Sequence, residues 1–196
     1  MGILGTLKQR AETVTSLYSL AHLRDLPAAT WDALVPAGQP FLRHAFLSAM
    51  EDSGSVARNT GWAAEHLVLE RDGRVRALLP AYRKWHSFGE YVFDHGWADA
   101  CERAGIAYYP KLLGAVPFSP VSGPRLLAAD PADGLLVLQA LPEYLPRAGC
   151  LARTSISPSR RWTNSWPASR AGWSAWAASF IGATTATVTS RIFSTV

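Results

Sequence analysis

Two apolar-rich runs, Glu65–Arg71 (EHLVLER) and Arg74–Arg83, meet at Asp72-Gly73. A two-residue Asp-Gly connection between such runs turns the chain back on itself with the twist that paired strands need, because both residues tolerate a positive φ. The dipeptide therefore predicts an antiparallel hairpin in the middle of the chain. With that hairpin in the middle, a mixed sheet covered by helices fits better than a doubly wound parallel sheet.

The segments around the hairpin alternate between helix and strand. Thr30 is placed to cap a short turn over Trp31–Val35, and Pro36 and Pro40 interrupt before Phe41–Glu51. In that second piece Phe41, Leu42, Ala45, Phe46 and Ala49 recur at helical spacing, a stripe expected to face a core. Tyr91-Val92-Phe93 reads as a third strand, and Trp97–Ala104 as a helix closed by Gly105. Ala115–Val121, with prolines at 117 and 120, suits an edge strand or an extended loop. Pro131–Leu145 reads as a helix with Asp130 as N-cap and proline in the first turn. The expected class is α/β (α+β): a mixed, largely antiparallel sheet with flanking helices.

Composition divides the chain. Its 196 residues are 48% hydrophobic and 17% charged, enough for one packed domain and too little for two full enzyme domains. All 15 acidic residues precede Leu151, against 14 Lys+Arg there, while the last 46 residues carry 5 Arg and no acid, Lys or His. Beyond Leu151 neither helical nor strand periodicity persists, and Ser, Thr and four scattered Trp dominate. The expected organisation is a domain over 1–150 and an irregular, acid-free tail over 151–196 with its Trp residues exposed.

The N-terminus has no basic segment followed by a continuous apolar run, so no secretory signal is read there. Gly2 and Thr6 fit a myristoylation pattern that recurs by chance. The uncharged stretch 171–190 is long enough for a membrane span but holds no Leu and is crowded with Ser and Thr, so no span is expected. Cys101 and Cys150 form neither a disulfide framework nor a C-x-x-C pair, and a reducing cytoplasm is the expected compartment.

The densest polar-aromatic segment is Trp85–Asp99, WHSFGEYVFDHGWAD. Asp94-His95 could supply general acid/base chemistry, or Asp94 could cap a turn while His95 fills a gap, since sequence neighbours on a strand point to opposite faces. No metal-ligand spacing, nucleophile elbow or phosphate loop is present, and Cys101 reads as a core residue. In Tyr82-Arg83-Lys84 and Tyr108-Tyr109-Pro110-Lys111, basic groups beside aromatics either bind an anion or mark solvated strand ends. Arg160-Arg161-Trp162 in the tail is a thin nucleic-acid footprint; such a binder would lose affinity steeply with salt.

Taken together, Leu26–Val35, Pro40–Val56 and Gly89–Leu127 resemble the bacterial FemAB-like predicted N-acyltransferases, a peptidoglycan biosynthesis or recognition family assigned to the GNAT superfamily. The resemblance runs from Leu26 to about Gly149 and is most specific in Phe93-Asp94-His95-Gly96-Trp97-Ala98-Asp99 and Tyr108-Tyr109-Pro110-Lys111. It implies a GNAT-like sheet, an acyl-CoA or aminoacyl-tRNA donor and an amine acceptor on a cell-wall precursor, with no metal. Glu90, Asp94 and His95 are implied as catalytic candidates, and Trp97, Asp99, Tyr108, Tyr109 and Lys111 as substrate contacts. No nucleic acid is expected as partner except tRNA as donor.

Family members are longer, and the half that would carry the donor site, with its R/Q-x-x-G-x-G/A loop, has no counterpart here. The tail's IGATTATVTSRIFST can be encoded so that a neighbouring frame spells HWRNDGYSDFQDFLN, similar to the family's continuation, so a frameshifted terminus after about residue 150 is expected. Two functions compete: acyl transfer to an amine, and a truncated, non-catalytic fragment or binding module without a donor site.

Overall fold

The computed structural model describes residues 15–90 and 94–150, together with the backbone of 152–154. The expectations for the N-terminal pattern, for Tyr91-Val92-Phe93, for the uncharged stretch 171–190 and for the rest of the tail lie outside the described residues.

The hairpin forms where the sequence places it. Asp72 and Gly73 both take positive φ, 52° and 71°, as a primed two-residue turn requires. Its arms are each broken once, giving β2 (Trp62–Ala64) and β3 (His66–Arg71) on one side, β4 (Arg74–Leu79) and β5 (Ala81–Lys84) on the other. The register Leu67↔Leu79 continues without a shift into Ala64↔Tyr82, and the Glu65 N–H donates to the Ala81 carbonyl across the break. Pro80, which has no N–H to donate, sits at that interruption. One long hairpin thus serves two four-stranded sheets. β1 (Thr15–Leu20), β3, β4 and β7 (Leu127–Ala128) make the first; β2, β5, β6 (Lys111–Gly114) and β8 (Ala152–Thr154) make the second. Every pairing is antiparallel except β6 with β8. β8 carries the second sheet past Cys150, into residues the sequence reading assigns to the irregular tail.

The first sheet is covered on both faces, which is why HLVL and ALL read as continuous apolar runs. Val68 and Leu78 point to one face, against Leu23, Trp31, Leu42 and Leu47. Leu67, Leu69, Ala77 and Leu79 point to the other, against Val137, Leu141 and Leu145. Those three lie on α4 (Pro131–Arg147), whose N-cap Asp130 accepts from the Ala132 N–H as expected. At about 1.5–3 kcal/mol per buried aliphatic side chain, these two layers supply the main driving force.

Two helical readings need correction. α1 spans Ala28–Asp32 with Pro27, not Thr30, at its N-cap. Pro27 is already committed to an extended ψ, so the helix starts at the residue after it. The Phe41–Glu51 piece is split: a short 3-10 turn, Pro40–Leu42, is followed by extended Arg43 and then α2 (His44–Asp52). The break rotates the second piece, so Leu42 and Leu47 are buried, while Phe41, Ala45 and Ala49 face solvent. The Trp31 indole N–H, donating to the Leu42 carbonyl at 2.8 Å, holds the two parts together.

α3 (His95–Arg103) ends as its glycine predicts. Gly105 is left-handed, its N–H reaches the Glu102 carbonyl and the Ile106 N–H reaches Cys101. Residues 115–121 form no strand and continue as a loop, the second of the two readings open for that proline-rich segment.

A candidate active site built on two buried lysines

β5 and β6 pair so that Lys84 lies directly opposite Lys111. Like charges facing each other across strands are ordinarily destabilising. Here both side chains are 0% exposed; the Glu90 carboxylate lies against both ammonium groups, and Asp94 pairs with Lys111. The Lys111 ammonium donates to Ser87 Oγ at 2.7 Å, to Glu90 Oε2 at 2.8 Å and to Asp94 Oδ2. The Lys84 ammonium donates to the Phe88 carbonyl at 2.8 Å, lies 3.7 Å from Glu90 Oε1 and rests 3.6 Å from the centre of the Trp62 ring. A desolvated cation over an indole face is a favourable contact.

The tyrosines complete the cluster. Tyr108 donates its hydroxyl to Asp94 Oδ2 at 2.7 Å, and the Tyr109 hydroxyl shares a 2.7 Å bond with Ser87 Oγ. Neither lysine is the solvated strand end that the sequence left open. Two cations and two anions balance, so the site carries little net charge in a region shielded from water.

Burial divides the titrations. Desolvation raises the Glu90 carboxyl above its ordinary value, opposed by Lys111. Desolvation also acts on Asp94, but the hydrogen bonds from Lys111, Ser87 and Tyr108 outweigh it and lower its pKa. Burial, reinforced by the nearby Lys111 charge, lowers Lys84 from 10.5 to about 8 even with Glu90 beside it. Glu90 Oε1 and Asp94 Oδ1 are buried with no hydrogen-bond partner among the described residues.

The structure thus brings together Glu90, Asp94, Tyr108, Tyr109 and Lys111. It leaves the other three apart. Asp94 occupies the N-cap of α3 without capping through its side chain, which turns inward to Lys111, while His95, one residue on, is exposed. Trp97 is 55% exposed and Asp99 is exposed on the same helix. The Asp94-His95 pair therefore does not act as a unit. His95 instead borders an exposed aromatic shelf, with its ring 6.3 Å from Phe88, which is itself 5.3 Å from His86. Sequence reasoning missed Ser87 and placed Lys84 only as one of a basic-aromatic triplet; the strand register that joins Lys84 to Lys111 is the signal it lacked.

The neighbouring polar pairs anchor the frame. Arg83 grips buried Glu65 through two bonds of 2.7 and 2.8 Å, and Tyr144 of α4 donates to the same carboxylate. His66 bonds Glu51 at 2.9 Å. Among the described residues no set of His, Cys, Asp and Glu side chains converges as a metal site would, and both cysteines are buried and free.

Residues 22–166 match the model of the FemAB-like family, described as peptidoglycan biosynthesis/recognition. The chain belongs to the FemAB-like family. No curated protein and no solved structure matches it. The match begins ahead of Leu26 and continues beyond Gly149, where the residue-level resemblance ends. The whole Lys84–Lys111 cluster lies inside it. The function of this FemAB-like chain accordingly lies in peptidoglycan biosynthesis or recognition, with a cell-wall precursor as the fitting substrate class. Among the described residues no helix is long and apolar enough to cross a membrane.

Proposed function

We propose that the chain transfers an acyl or aminoacyl group to an amine of a cell-wall precursor, on a GNAT-like scaffold, with Glu90 as the base. The observation that carries this reading is a buried carboxylate of raised pKa that keeps one oxygen, Oε1, without a hydrogen bond among the described residues. A carboxylate whose proton affinity is raised by burial, and which keeps an oxygen outside any hydrogen bond, is suited to take the proton of an amine attacking a carbonyl. Asp94 is less suited, because the hydrogen bonds accepted by its Oδ2 lower its pKa and weaken it as a base, and His95 lies outside the cluster.

In the proposed step the amine nitrogen bonds to the donor carbonyl carbon and Glu90 takes the proton it sheds. The bond from that carbon to the sulfur of an acyl-CoA, or to the ester oxygen of an aminoacyl-tRNA, breaks. The departing group leaves as thiol or hydroxyl with the proton returned. Lys111 orients Glu90, and Ser87, Tyr108 and Tyr109 hold Lys111 and Asp94 in place, so the chemistry is largely positioning. The reading is tested by donor binding. A donor that binds the native state raises the thermal midpoint, by about 2.7 kcal/mol of stabilisation at a hundred times its Kd. A rise with an acyl-CoA or an aminoacyl-tRNA supports the proposal, and no rise with either class contradicts it.

A further inference from the structure

The cluster that would do this chemistry is closed: Lys84 and Lys111 are fully buried, and the Glu90 and Asp94 side chains are nearly so. Glu90 Oε1, 3.7 Å from the Lys84 ammonium, and Asp94 Oδ1 nevertheless accept no hydrogen bond among the described residues. A substrate amine can reach them only if some covering group moves. Among the side chains around the cluster, Phe118 combines three properties of a movable cover.

Its ring packs 5.2 Å from the Trp62 ring, on which the Lys84 ammonium sits, and over Gly89, next to Glu90. A Cβ at Gly89 would lie 2.6 Å from the Phe118 ring, so this glycine leaves the space the ring fills. The ring is 42% exposed, so its outer side meets solvent. Phe118 also takes a φ of 53°, a left-handed conformation that a bulky residue holds only under strain.

The chain on either side is fixed. Val116 is part of the core beneath the first sheet, and Pro117 is buried. On the far side buried Arg125 donates to the carbonyls of Val121, Gly123 and Pro124 at 2.6, 3.2 and 3.4 Å. Only Phe118, Ser119 and Pro120 lie between these anchors. Motion is thereby confined to a three-residue tip carrying one aromatic ring.

We infer that Phe118 is the gate of the Glu90 site: its left-handed tip stores the strain that lets the ring swing off Trp62 and Gly89 and open Lys84 and Glu90 to an incoming amine. The inference rests on the reading of Glu90 as the reacting group, and its test does not measure transfer. The full chain is labelled with an acetyl N-hydroxysuccinimide ester, and acetylation of Lys84 and Lys111 is followed by mass spectrometry, with the urea-unfolded chain as the reference for full reactivity. Phe118→Gly removes the ring and suits the left-handed backbone. It should speed labelling of Lys84 by about tenfold or more, as a local opening does, and leave Lys111 protected. Should Phe118→Gly lose its cooperative unfolding transition, Phe118→Ala, which removes the ring and adds no new left-handed residue, gives the same readout. Unchanged Lys84 protection in the folded variant overturns the gate. So does Lys84 and Lys111 accelerating together, which marks general loosening. If Glu90 is not the base, Glu90→Gln keeps its transfer activity while this labelling contrast persists, so the two failures are distinguishable.

Discussion

Replacing Lys111 by methionine keeps an apolar stem of similar shape and removes the ammonium that Ser87, Glu90 and Asp94 share. Two carboxylates with nearly buried side chains are then left facing each other with Lys84 as the remaining cation, 3.7 Å from one of them. Removing one partner of a buried ion pair costs about 3–5 kcal/mol, because the surviving charge keeps its desolvation penalty. That is a large share of the roughly 5–15 kcal/mol that holds a domain together. At roughly 2–4 °C per kcal/mol for a domain of this size, Lys111→Met should lower the thermal midpoint by about 6–20 °C.

The loss has a direction in pH. Without Lys111 the folded pKa of Glu90, already raised, climbs further and that of Asp94 rises above its unfolded value, so the folded chain binds more protons than the unfolded one. Stability from that source is fully present below the unfolded carboxylate pKa of about 4 and is lost as pH rises through the folded values. The variant should therefore lie closer to wild type at about pH 4.5 than at about pH 7.5. Thermal denaturation followed by circular dichroism at both values reads this, with Arg24→Ala, which breaks the exposed Arg24–Asp52 pair, as a near-neutral control. A midpoint within about 3 °C of wild type at pH 7.5, or a deficit that does not depend on pH, would refute the buried, coupled cluster.

Lys84→Met should remove a pH dependence of the opposite kind. The Lys84 amine is lowered from 10.5 to about 8 on folding, so between those values the unfolded chain binds more protons and the wild-type stability gains with rising pH; chemical denaturation across that range should show a smaller gain in the variant. Gly105→Ala should destabilise by about 1 kcal/mol in urea titration, since no neighbour obstructs the new methyl group and only the left-handed φ of 67° opposes it.

Local chemistry was legible where one residue type decides a conformation. Asp72-Gly73 read as the central turn, Gly105 as the stop of α3 and Asp130 as the cap of α4, and each follows from a backbone angle or a single hydrogen bond. Pairing between distant segments was not legible. β1 (Thr15–Leu20) meets β3 across some fifty residues of chain, and its composition carries no period that announces it. The four-residue strand KLLG starts with a lysine and is wholly buried, a pattern that reads as a loop entry until Lys84 lies opposite Lys111. The site was half visible for the same reason. Glu90, Asp94, Tyr108, Tyr109 and Lys111 stand in two recognisable segments, but their convergence, and the separation of Asp94 from His95, depend on how the hairpin, β6 and the start of α3 pack together.

The most direct measurement is transfer itself, with and without the proposed base. The full chain is incubated with an isotopically labelled acyl-CoA or aminoacyl-tRNA and an amine-bearing cell-wall precursor, and amide product is quantified by mass spectrometry. The account predicts product with the wild-type chain, and a loss of about a hundredfold or more in Glu90→Gln, the contribution expected of a positioned base, with the donor-induced rise in thermal midpoint retained. Equal product from the wild-type chain and Glu90→Gln, or none from the wild-type chain with either donor class, would contradict it.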